Sequence, residues 1–174
     1  KTNSIGDTLW TKKYRNLNGS IGNSLKETSD GGFIIGGGIV LSTNPLLYES
    51  YLIKTNSSGD TLWTKIITTT NYNEVASCVQ QTSEGGYFFS GRVSYTISST
   101  DDILIIKTNI NGDTLWSKVY GGTNGEDATS GQQTNDGGYI VSGATTSFGA
   151  GGADLYLLRL NSNGDTIWTK TFGT

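Results

Sequence analysis

Carboxylates are the side chains of this chain best placed to do chemistry, and they recur. Asp7, Asp60, Asp113 and Asp165 each close an Asn-x-x-Gly-Asp string, beginning at Asn3, Asn56, Asn109 and Asn161. Oxygen-rich turns suit a hard cation, so calcium is the cofactor they bring into consideration. Each string offers one carboxylate, and the spacing differs from that of an EF-hand loop. The competing reading, that Asn and Asp cap the turn by bonding to nearby backbone amides, is the expectation, with no cofactor. Adjacent acids also occur at Asp101-Asp102 and Glu126-Asp127. Paired carboxylates are the equipment of a glycosidase, yet neighbours on a strand point to opposite faces, so neither pair is a ready acid and base. The chain has no His, which removes imidazole bases, most triads and most zinc sites. Cys78 is the one cysteine; it cannot close an internal disulfide and reads as a small hydrophobe. A net charge of −3 with no basic run leaves no footprint for nucleic acid. Apolar runs of a few residues do not span a membrane. The sequence predicts no enzyme.

The elements that carry these residues come from a repeat. Gly-Asp-Thr-Leu-Trp occurs at Gly6–Trp10, Gly59–Trp63 and Gly112–Trp116, and returns as Gly164-Asp165-Thr166-Ile167-Trp168. The four tryptophans, at steps of 53, 53 and 52, all belong to this one repeat position. Such rings could form a platform for a sugar, but their fixed place in the period favours packing between copies. A second marker runs in phase: Asp30-Gly31-Gly32, Glu84-Gly85-Gly86 and Asp136-Gly137-Gly138. A third is an apolar run ending in a cation at Lys54, Lys107 and Arg159, with Lys1 as the tail of the same run.

Within the last copy four strands can be read: Asp127 to Thr134, Tyr139 to Thr146, Asp154 to Leu160 and Thr166 to Phe172. Asp136-Gly137 and Asn163-Gly164 supply the tight turns between them. No window shows helical spacing with caps. Four short antiparallel strands in about 50 residues is the pattern of a propeller blade. The first strand is small in side-chain volume, as a strand converging on a central channel must be. The fold class expected is therefore all-β: a β-propeller segment of about three four-stranded antiparallel blades plus one extra N-terminal outer strand, Thr8 to Tyr14. The units are 1–15, 16–69, 70–121 and 122–174. Three blades and a spare strand do not close a ring, so the array reads as part of a propeller of about six to eight blades. Adjacent blades would come from the same longer chain or from further copies.

The string DGGYIVSGATTSFGAGGADLYLLRLNSNGDTIWTKTFG, at 136–173, resembles a tandem repeat abundant in large secreted and surface proteins of bacteria. Many of those carry Bacteroidetes-type C-terminal sorting domains. The resemblance covers essentially the whole chain and implies a β-propeller and an extracellular or cell-surface location. It implies little chemistry.

Shared positions build a repeat scaffold, so function is sought where copies differ. The irregular stretches between second and third strands are 41–50, 93–101 and 147–153. They offer Tyr48 and Glu49, then Tyr95, Asp101 and Asp102, then Phe148 and Asp154 as ligand-facing residues. A second set opens each unit at 16–20, 71–74 and 122–127. The expected function is a non-catalytic extracellular scaffold, adhesion or binding module that takes a protein or glycan at these loops. Its alternatives are a subunit of a self-assembling polymer and part of a glycan-active enzyme.

Overall fold

The computed structural model describes residues 1–14, 18–69, 73–95 and 100–173. The opening stretches at 16–20 and 71–74, the 93–101 stretch and the boundaries at residues 15, 16, 70 and 174 therefore lie partly outside the described residues. Among the described residues twelve strands form three four-stranded antiparallel sheets, and no helix occurs. The first sheet holds β1 (Ser20–Glu27), β2 (Phe33–Thr43), β3 (Leu46–Thr55) and β4 (Thr61–Ile67). The second holds β5 (Asn73–Gln81), β6 (Tyr87–Ser94), β7 (Asp101–Thr108) and β8 (Thr114–Tyr120). The third holds β9 (Glu126–Gln133), β10 (Tyr139–Thr145), β11 (Asp154–Leu160) and β12 (Thr166–Phe172). Each sheet is a simple meander in chain order. The sheets are propeller-like blades that pack on one another and are not joined into a closed ring by backbone pairing.

Turn chemistry drives the hairpins. In the β3–β4 turn, Asn56 Oδ1 accepts from the amides of Ser58 and Asp60, both at 2.9 Å. The same Asn-cap recurs at Asn3, Asn109 and Asn161. Gly59, Gly112 and Gly164 take φ of +77°, +78° and +80° in these turns, the left-handed region open to glycine. Between first and second strands the ladder carries a bulge in every sheet. There Gly37, Gly91 and Gly143 let the two backbones close; a methyl at any of them would overlap the carbonyl of Ile21, Val75 or Asp127.

Two expectations change. Thr8 to Tyr14 is not a strand: among the described residues the segment makes one isolated bridge, Thr2 to Thr8. The stretch 41–50 is not a loop either. β2 and β3 continue their ladder to Thr43 and Leu46 around Asn44-Pro45, so Tyr48 and Glu49 are strand residues.

Burial lies in the seams between sheets. Ile34 and Leu52 of the first sheet pack on Ala76, Val79, Tyr87 and Phe89 of the second. Phe88, Ile103 and Ile105 leave the other side of the second sheet to meet Ala128, Tyr139, Val141 and Tyr156 of the third. The ring of Phe88 stacks on that of Tyr139 at 4.6 Å. Each sheet thus has a leading face, toward the preceding unit, and a trailing face, toward the next.

Candidate functional site

The inner strands β1, β5 and β9 lie side by side and carry equivalent positions to a common cleft. It has a volume of about 370 Å³ and is lined from all three sheets by Ile21, Asn23, Tyr48, Val75, Ser77, Arg92 and Asp127. Ile21, Val75 and Asp127 are the same position of three copies, so Asp127 is the polar member of an otherwise apolar set. Asn23 is tied down, its side-chain amide donating to the Ala76 carbonyl at 2.9 Å. Tyr48 is held by its backbone amide, which donates to Asn73 Oδ1 at 2.7 Å, leaving the ring at the cleft.

Arg92 and the acids form the charged side of this cleft. Arg92 Nη1 sits 3.3 Å from Asp101 Oδ2, and both side chains remain partly open to solvent. Asp127 has one carboxylate oxygen, Oδ1, buried without a hydrogen-bond partner among the described residues. Its burial pushes the carboxyl up; Arg92 pulls it down, and Asp101 pushes it up again. A second, shallower cleft of about 250 Å³ adjoins on the third sheet, with Asp101, Glu126 and Asp127 on its walls. Together they make a rim that can both donate and accept hydrogen bonds, with one aromatic face.

The seven ligand-facing residues read from sequence separate into two groups. Tyr48 and Asp101 reach the clefts, and Phe148, 41% exposed, stacks on Tyr156 at 5.6 Å in the loop before β11. Glu49, Asp102 and Asp154 occupy one repeat position and turn inward. Glu49 is buried against Glu74 across the first seam, and burial together with the charge of Glu74 raises its carboxyl to about 7. Asp102 converges with Glu126 on the backbone at Gly121 in the second seam, and burial raises it too; Tyr95 hydrogen-bonds to it, lowering it in part. Tyr95 itself packs against the first core cluster. Asp154 is buried and accepts from the Ala150 amide at 2.8 Å, bracing the loop. Glu126 does similar work, accepting from the Gly122 amide at 2.7 Å and the Thr145 hydroxyl at 2.6 Å.

Arg92, Asp127, Asn23 and Ser77 were not among those seven. A signal for two of them was present: Arg92 stands where the other copies have Gly38 and Ala144, and Asp127 where they have Ile21 and Val75. Departures inside strands, and not only in loops, marked the site.

Three of the four carboxylates of the Asn-x-x-Gly-Asp turns are paired with a lysine. Asp60, Asp113 and Asp165 take Lys12, Lys65 and Lys118 of the preceding unit at 2.7, 2.8 and 2.6 Å. In each case the lysine contact lowers the aspartate. Among the described residues no three His, Cys, Asp or Glu side chains are grouped so as to hold a metal ion. No helix of the described residues is long and apolar enough to cross a membrane. The chain matches no protein-family model, and no curated protein matches it.

Proposed function

We propose that the chain is a non-catalytic binding module, acting outside the cell as its repeat resemblance implies, and that its inner cleft takes a glycan. One observation carries this: a single cleft gathers an aromatic ring, Tyr48, with a cation and a carboxylate, Arg92 and Asp127, from three different sheets. Sugars present apolar ring faces and a fringe of hydroxyls that both donate and accept. An aromatic face with planar charged groups beside it matches both demands. The volume falls within the range of small-ligand sites. The open, polar walls suit a hydrated ligand better than a greasy one.

Isothermal titration against a panel of soluble polysaccharides and oligosaccharides tests the proposal. Binding by at least one member is expected, with Tyr48→Ala and Arg92→Ala each weakening it roughly tenfold or more, the worth of a charged hydrogen bond or a ring contact. Absence of binding across the panel overturns the proposal, as does binding indifferent to both substitutions. Release of reducing ends from a bound member would move the chain to the enzyme class.

A further inference from the structure

Both seams close on the same latch, a Trp ring and a Lys–Asp pair, and a Tyr hydroxyl adds a third contact at the second seam, where the first has Ile67. At the second seam Trp116 meets Tyr139 edge-on at 5.8 Å, Lys118 pairs with Asp165, and Tyr120 Oη donates to the Gly164 carbonyl. At the first, Trp63 meets Tyr87 at 5.6 Å and Lys65 pairs with Asp113. The N-terminal segment repeats the pattern on the first sheet: Trp10 on Phe33 at 6.0 Å, Lys12 on Asp60, and Tyr14 Oη donating to the Gly59 carbonyl at 2.7 Å. Each ring lies so close to the turn glycine that a methyl there would come within 2.7 to 3.1 Å of it.

A fourth latch has nothing to close on. Trp168 is 38% exposed, and Lys170 lies over that ring with no carboxylate partner among the described residues. Around them the trailing face of the third sheet is open. Leu155, equivalent to the fully buried Ile103, is 49% exposed, and Ile140 and Leu157 are half-buried where Ile34 and Leu52 are fully buried. The backbone agrees. The amides of Ser29 and Ser83 donate to Gln81 and Gln133 of the next unit at 2.8 Å, whereas Asn135, the next in the series, has no acceptor among the described residues.

The leading face of the first sheet is the complement and is only partly covered. Phe33, Ile35 and Tyr51 are half-buried, Leu25 is 56% exposed, and Glu27 stands at the position of Gln81 and Gln133. A cleft of about 280 Å³ remains between Trp10, Leu25, Glu27 and Phe33.

We infer that the trailing face of the third sheet docks on the leading face of the first sheet of a second copy of this chain. Trp168 and Lys170 there take the places at Phe33, Gly59 and Asp60 that Trp10 and Lys12 hold within the chain, and Glu27 accepts from the Asn135 amide. The contact continues the two internal seams in geometry and charge. It is heterologous, so copies add head to tail. The N-terminal segment competes for the same socket and sets how readily copies join. The inference is independent of what the inner cleft binds.

Sedimentation velocity on the intact chain over a wide concentration range is the test, with circular dichroism to show that each variant is folded. The unaltered chain is expected to form larger species as concentration rises. Lys170→Glu and Asp60→Lys are each expected to raise the dissociation constant at least tenfold. Mixing the two variants is expected to restore assembly. The carboxylate introduced at position 170 of one would face the ammonium introduced at position 60 of the other, while the unaltered Lys170 of the second still faces the unaltered Asp60 of the first. A chain that stays monomeric up to its solubility limit overturns the inference. So does assembly that neither variant weakens, or a mixture that fails to recover it.

Discussion

Glu49 has almost no exposed surface, and its Oε2 finds no hydrogen-bond partner among the described residues. Burial in an apolar seam disfavours its charged form, and the facing charge of Glu74 adds to that, while a hydrogen bond with Thr68 offsets part. With the folded carboxyl raised to about 7 against about 4.5 when unfolded, the folded state holds the proton more tightly. The resulting stability is fully present below pH 4.5 and is lost as pH rises through 7. Glu49→Gln, which cannot ionise, should therefore gain on the parent by about 2 kcal/mol between pH 5 and pH 8. Thermal unfolding at the two pH values measures this, and a difference that ignores pH would count against it. In sequence, Glu49 looked like a loop acid open to a ligand. Nothing local reveals that Glu74, across a seam, turns it into half of a buried pair.

At the scale of the strand, the small residues do as much as the large ones. Gly143 sits opposite the bulge between Ser130 and Ala128, where β10 presses against the Asp127 carbonyl. Gly143→Ala forces the strands apart and should cost about 1–3 kcal/mol, the usual toll of overpacking, read as a lowered denaturation midpoint with an unchanged slope. Strand positions were legible because their cues are local. Asp-Gly and Asn-Gly turns bracket each run, and the third copy's strands fall within one residue of the spans read from sequence. The two misreadings have physical causes as well. Strand geometry at 8–14 needs a ladder partner, and hairpin extension through 41–50 is decided by pairing across the sheet, which no single segment encodes.

At the scale of the molecule, each sheet stabilises its neighbours and has no closed core of its own, as in other repeat arrays. Phe88 belongs to the second sheet by chain but to the second seam by packing, fully buried against Tyr139. Phe88→Ala should cost about 3–5 kcal/mol. The loss should fall unevenly: hydrogen exchange is expected to quicken in β9–β12 before it does in β1–β4, and uniform acceleration would argue against nearest-neighbour coupling. The sequence by itself determined the strand content, the turns, the repeat and the three-sheet division, because alternation, turn glycines and recurrence act over a few residues at a time. Only the tertiary structure decided which polar groups meet. Tyr48, Arg92 and Asp127 come from three different sheets, Glu49 reaches Glu74 from the next, and Trp168 is left uncovered. Those meetings depend on how one sheet leans on the next, a long-range packing angle that no stretch of residues specifies alone.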